Sequence, residues 1–351
     1  GWNFDWGRDA HGHVSSLADP WGTVHYAPDA LGRPTQVSGY ANGVSYHPSG
    51  ALAGYTLANG LGYAMTPNLR GLPELMQQGG VVRDRYAYDA NGNVTAITDE
   101  TPGGINSRSM TLYDGLDRLR QATGPWGAGS FDYDALDNLT GSTVGGRSLT
   151  HHIDAATNRL TGFSGSQSLG IAYDANGNVT QRGTQAFVFD IGNRMTSATG
   201  KASYVYDGHG RRNLVWFAGG GYMHQAYTKD GKLRFAWRSS QGGRRHVYLG
   251  DRMIAETTEG GFTTYAHADG LGSPVAKTNN TGVVVERTRY EPYGATVAGS
   301  VNPATIGFTG HVNDADTGLV YMQQRYYDPI AGRFLSVDPV TTDAKTGDHF
   351  N

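Results

Sequence analysis

Tyr88-Asp89-Ala90-Asn91-Gly92-Asn93-Val94-Thr95 returns unchanged as Tyr173-Asp174-Ala175-Asn176-Gly177-Asn178-Val179-Thr180. An internal repeat of this fidelity governs the architecture of the chain that carries it. Looser copies start at Tyr113 (YDGLDRL), Tyr133 (YDALDNLT), Ile153 (IDAATNRLT), Phe189 (FDIGNRMT) and Tyr206 (YDGHGRRN). More degenerate ones begin near Tyr26, Tyr46, Tyr63, Tyr227, Tyr248 and Tyr265. Most anchors fall 16 to 25 residues apart.

Each unit reads as strand, tight turn, strand. Before the turn, aromatics alternate at period two, as in Tyr86 and Tyr88, Phe131 and Tyr133, or Tyr204 and Tyr206. That is the spacing of one face of a β-strand. Asn91-Gly92 and Asn176-Gly177 predict two-residue type I′ hairpins, which need positive φ at both central residues. The preceding aspartate is placed to accept turn amides. The fold class is therefore all-β, a spiral of stacked antiparallel hairpins in which neighbours cover each other's edges. The one short stretch that reads as helical is Leu72 to Gln78.

Composition agrees with this and excludes other classes. Of 351 residues 52 are glycine, about twice the usual share, yet proline is sparse and no glycine recurs every third position. An aromatic content of 11% with a net charge of −3 excludes a disordered chain. Zero cysteines exclude disulfides, thiolate metal sites and cysteine nucleophiles. No apolar run is long enough to span a membrane. The charge balance gives no basic field for nucleic acid, and Arg211-Arg212 and Arg244-Arg245 read as solvated pairs. The start at Gly1, without methionine or leader, reads as a processed product or an excised fragment.

On these repeats the chain resembles the YD-repeat, or rearrangement-hotspot (Rhs), proteins. A second match lies near the C-terminus: Asp269-Gly270-Leu271-Gly272-Ser273-Pro274, Tyr290-Glu291-Pro292-Tyr293-Gly294, Phe308-Thr309-Gly310-His311 and Asp316-Thr317-Gly318-Leu319. It continues through Arg325-Tyr326-Tyr327-Asp328-Pro329 to Gly332-Arg333-Phe334-Leu335-Ser336-Val337-Asp338-Pro339. In order and spacing these segments resemble the Rhs-associated core of polymorphic toxins, and more distantly the teneurins. The resemblance implies a division into a YD-repeat shell (1–264), a core (265–340) and a tail (341–351) leading to an effector region. It also implies a hollow shell around a C-terminal toxin domain as cargo, self-cleaved beyond the core, in a secreted or bacterial cell-surface protein.

The same resemblance singles out Asp338 and Arg325 for self-cleavage. A carboxyl can move a proton in either direction, and a guanidinium can orient the carboxylate or the scissile carbonyl. Residue chemistry alone favours a structural role, with Asp338 capping a turn before Pro339 and Arg325 paired to a neighbouring carboxylate. Asp343 and Asp348 are further candidate carboxylates. No cofactor or metal is expected. Asp316-Thr317-Gly318 reads as a turn, and Asp89 to Glu100 lacks the glycine of a calcium loop. The histidines, including His151-His152, read as surface or stacking residues. Further expected partners are a second shell-forming chain or a missing N-terminal segment, and a secretion apparatus. The rival reading is a surface adhesion module whose outward aromatics bind glycan or protein.

Overall fold

The Asp89 side chain builds its turn. Its Oδ1 accepts the backbone N–H groups of Gly92 and Asn93, both at 2.8 Å, and its Oδ2 accepts from Asn93 Nδ2 at 3.0 Å. In the computed structural model, which describes residues 3–299 and 305–338, this arrangement recurs at Asp114, Asp134, Asp174, Asp190 and Asp207. The loops are therefore not type I′. Gly92 has φ 99 and Gly177 φ 89, while the asparagines before them stay out of the positive-φ region. Asp117, Asp137 and Asn193 take the same left-handed place in other copies. The aspartate gathers its amides around a loop longer than two residues, and a bulge at Tyr88 absorbs the surplus.

The repeated tyrosine ties one unit to the one before. Its hydroxyl donates to the carbonyl just past the preceding turn: Tyr88 to Pro73 (2.7 Å), Tyr113 to Val94 (2.7 Å), Tyr173 to Leu160 (2.8 Å). Turn side chains bridge as well, Asn93 to Asp117 (2.7 Å) and Asn178 to Asn193 (2.9 Å). Phenylalanine would fill the space but remove this half-buried hydrogen bond.

Every strand from Ala41–Tyr46 to Val284–Arg287 pairs antiparallel with the next, and the resulting wall closes on itself. Across the seam, Asn59 Nδ2 donates to Thr278 Oγ1 (2.9 Å), Gln78 Nε2 to the Ala268 carbonyl (2.6 Å) and Arg287 Nη1 to that of Val81 (3.1 Å). The segment expected to be helical is the strand Pro73–Gln78, paired on both sides. It sits between Gly71 and Gly79-Gly80, too short for a stable helix and flanked by strands offering backbone partners. Among the described residues there is no α-helix, only the 3₁₀ turn Phe308–Gly310.

Besides the short pair Arg289–Tyr290 and Thr296–Ala298, two small sheets complete the fold. Asp5–Arg8, Val14–Asp19 and Gly22–His25 form the first, held to the wall by Arg245, whose Nε is 2.7 Å from Asp19 Oδ2. The second, Val312–Asp314, Leu319–Met322, Arg325–Asp328 and Arg333–Phe334, is the plug. Its Val312, Leu319, Tyr321, Tyr326 and Leu335 share one core with Met195, Tyr204, Val215 and Met223 of the wall. Strand Thr263–Ala268 runs straight across the 264/265 division, so the wall is continuous there. Arg212 and Arg245, read as solvated, are buried, and so are His151, His246 and His267. Each arginine has a carboxylate within reach, which a sequence cannot display.

Candidate functional site

Tyr326 alternates with Arg325 and Tyr327 along its strand, so its burial in the common core leaves Arg325 and Tyr327 on the opposite face. Phe334 returns opposite Tyr327, and the Arg325 guanidinium lies 3.7 Å above the Phe334 ring. The chain is then fastened twice at Leu335. Its N–H donates to the Tyr326 carbonyl (2.9 Å), and its carbonyl accepts from Val179 N–H on the wall (2.7 Å). Val337 follows against the turn of the second exact repeat, where a Cβ on Gly177 would stand 3.1 Å from Val337 Cγ1.

This route delivers Asp338 to Arg325, with Oδ2 2.9 Å from Nη1. Two residues thirteen apart in sequence thus form an ion pair at the end of the plug. It is neither buried nor fully solvated: the Arg325 side chain is 20% exposed and that of Asp338 34%. A polypeptide can reach such a carboxylate. The neighbouring Asp328 is committed elsewhere, buried against Arg182 and accepting the Ile330 N–H at 2.9 Å. Asp343 and Asp348 lie outside the described residues.

Other motifs resolve into structure. Asp316-Thr317-Gly318 is the turn into Leu319–Met322, with Gly318 N–H on the Asp314 carbonyl at 2.9 Å. The Asp89 carboxylate is spent on its own turn. Among the described residues, no group of three or more His, Asp or Glu side chains is disposed to hold a metal ion.

Three buried polar clusters were illegible in the sequence. Arg212 pairs with Asp314 (2.8 Å) inside a cage of Tyr204, Tyr321 and Tyr326, joining wall to plug. Burial pushes the Tyr204 and Tyr326 hydroxyls well above the usual tyrosine range, so both stay neutral. Glu256 lies 2.8 Å from Lys277 and 3.3 Å from His246. Although burial pushes the Glu256 carboxyl up, Lys277 and His246 outweigh it and hold it well below the usual range. Asp84 lies 3.1 Å from Arg108, and burial pushes its carboxyl up to about 6. The one sequence signal was the arginine doublet at 211–212, which marked the residue but not its burial.

Known proteins share this construction. A tRNA3(Ser)-specific nuclease, WapA, of Bacillus spizizenii is 25% identical over 227 residues, covering 60% of this chain and 9% of its own. Teneurin-1 of Gallus gallus is 30% identical over 176 residues, 46% of this chain and 6% of its own. The chain thus spans less than a tenth of these curated relatives. Among solved structures, TcdB2-TccC3 superposes with a TM-score of 0.79 at 20% identity, covering 96% of this chain and 21% of that one. The Photorhabdus luminescens Tc holotoxin pore gives 0.75 at 18% identity, covering 99% and 20%. At these identities the structures establish a common fold. No helix among the described residues is long and apolar enough to cross a membrane. The Teneurin YD-shell profile matches residues 65–350, and with the repeat and the plug it shows that this chain belongs to that YD-repeat family.

Proposed function

We propose that this chain is part of the shell of a secreted Rhs-type toxin, that the shell encloses a toxic C-terminal domain, and that Asp338 serves in its release by self-cleavage. The observation that carries the reading is the double fastening of Leu335 followed by the Arg325–Asp338 pair. A chain held this firmly presents whatever follows it to one carboxylate. In the cut, water adds to the scissile carbonyl, the C–N bond breaks and the departing amine takes a proton. Asp338 relays that proton, and Arg325, itself seated above Phe334, positions it by pairing with the carboxylate. WapA is named as a nuclease and the TccC3 structures are toxin assemblies, which supports a cargo of toxic type. The remaining shell would come from further residues of the same polypeptide or a second chain, and a secretion apparatus would export it.

The test is a longer precursor carrying the natural residues downstream of Asn351, followed by gel and intact mass. Asp338→Asn is expected to stay uncut and Arg325→Lys to be cut more slowly, with melting temperatures unchanged. Cleavage of Asp338→Asn at the unaltered rate overturns the role of Asp338.

A further inference from the structure

Where the wall meets the turns that follow Ala268 and Tyr290, the fold encloses an apolar cavity of about 410 Å³. Small-molecule sites measure roughly 300–1,000 Å³ and are mostly apolar, with a few convergent polar groups. This cavity has that character. Tyr86, Ile97 and Arg108 stand side by side across three strands, and Tyr88 pairs with Val94 further along. Alternate strand residues share a face, so Met110 follows Arg108 into the cavity. Trp126 lines the wall side, and Tyr290 and Phe308, with ring centroids 5.6 Å apart, line the opposite side. Leu271 is a lining residue too and is 68% exposed, which marks the mouth.

Charge decides what fits. Among the described residues, four charged side chains line the cavity: Arg108, Asp269, Arg289 and Glu291. Both carboxylates are already engaged. Glu291 is held by Arg147, whose Nη1 lies 2.9 Å from its Oε1. Asp269 Oδ1 accepts the N–H groups of Leu271 and Ser273 at 2.9 and 3.0 Å, and burial pushes its carboxyl up, toward the uncharged form. The two guanidiniums have donors to spare. Arg108 holds Asp84 through Nη2 at 3.1 Å, but its buried Nε has no hydrogen-bond partner. Arg289 is half-buried and makes no ion pair or side-chain hydrogen bond among the described residues.

An apolar body with an anionic end answers both features, because the guanidinium fork matches a carboxylate. A cationic amphiphile would set a further positive charge beside Arg289, and an uncharged one would leave both forks without a counterion. We propose that this cavity binds one long-chain fatty acid, with its carboxylate held by Arg289 and Arg108 and its chain laid along Ile97, Met110 and Trp126. Bound there, the fatty acid bridges the wall and the turns around Tyr290 independently of any cargo, and stabilises the folded chain by mass action.

Isothermal titration of the 351-residue chain, stripped of lipid, with decanoate and dodecanoate below their micellar concentrations tests it. Dodecylamine and dodecanol are the controls. One dodecanoate per chain is expected, bound about fourfold more tightly than decanoate for each added methylene. Arg289→Gln is expected to weaken dodecanoate tenfold or more, and, having no ion pair to lose, to melt as the parent does. Brominated dodecanoate is expected to quench the tryptophan fluorescence of the parent, and to quench Trp126→Phe much less. Absence of carboxylate binding, or dodecanoate binding that Arg289→Gln leaves unchanged, overturns the proposal. Dodecylamine bound as tightly as dodecanoate assigns the cavity to a cation and overturns it. Dodecanol bound as tightly assigns it to uncharged groups, such as apolar side chains of an enclosed polypeptide, and overturns it too. Quenching that is the same in Trp126→Phe places the ligand elsewhere, with the same consequence.

Discussion

The Arg212 guanidinium of the wall lies 2.8 Å from the Asp314 carboxylate of the plug, with both side chains almost wholly buried. Arg212 Nε also donates to Gln225 Oε1 (2.9 Å), its backbone N–H to Tyr321 Oη (2.7 Å), and Tyr204 Oη donates to the same Asp314 oxygen (3.1 Å). One wall residue thus satisfies three plug strands. Arg212→Met strands Asp314 without a counterion, and breaking a buried pair in this way costs about 3–5 kcal/mol. Urea unfolding should show that loss, and Arg212→Met combined with Asp314→Leu should recover most of it. An unchanged urea midpoint for the single variant would sink the interpretation.

The tyrosine rungs are individually modest. Tyr173→Phe removes one hydrogen bond to the Leu160 carbonyl, and about 1 kcal/mol of stability is expected to go with it. Asp174→Ala should cost more, since its carboxylate accepts two backbone amides and the Asn178 side chain. Although burial pushes the Asp174 carboxyl up, those hydrogen bonds outweigh it and hold it below 3.8. Its contribution is therefore complete above pH 3.8 and lost as pH falls through the depressed value. Melting Asp174→Ala beside the parent at pH 3 and pH 7 should show a smaller gap in acid.

Asp84 runs in the opposite sense. Burial lifts its carboxyl to about 6, with Arg108 pulling down and Asp99 and Asp269 pushing up. A raised folded value favours the protonated form, so the contribution is complete below pH 3.8 and lost as pH rises through about 6. Asp84→Asn should therefore gain on the parent between pH 5 and pH 7.5, by roughly 1.4 kcal/mol. The parent's own profile is flatter, because burial lowers His151 and His267 to about 4 and their contribution falls away as pH drops below 6.5. A constant difference between Asp84→Asn and parent across that range would refute the assignment.

Adjacent glycines offer an internal control. Gly145 has φ 57, and a Cβ there would lie 2.4 Å from the Trp126 carbonyl oxygen of the neighbouring turn, whereas nothing stands within 4 Å of a Cβ on Gly146. Gly145→Ala is expected to cost about 2 kcal/mol and Gly146→Ala to lie near zero in thermal melts. Equal shifts for the two would contradict the packing of these turns.

Much of the fold was legible because its determinants are local. An aspartate reaches amides two to four residues on, and strand alternation needs only neighbours, so Tyr88–Thr95 and its twin announced hairpins directly. Legibility failed where a local pattern had two solutions. Asn91-Gly92 permits a two-residue turn, but the carboxylate of Asp89 selects the longer loop. Leu72 to Gln78 permits a helix, but strands on both sides claim its backbone. At the candidate site, Arg325 and Asp338 were nameable from the motifs around them, and their contact was not.

The sequence by itself determined an all-β hairpin chain, because turn chemistry and period two are carried by residues close in the chain. Only the tertiary structure decided which polar groups would lose water. Closing the wall sets Asn59 against Thr278, and docking the plug encloses Arg212 with Asp314. Those partners are over a hundred residues apart, and the desolvation that gives each contact its energy exists only once wall and plug have met.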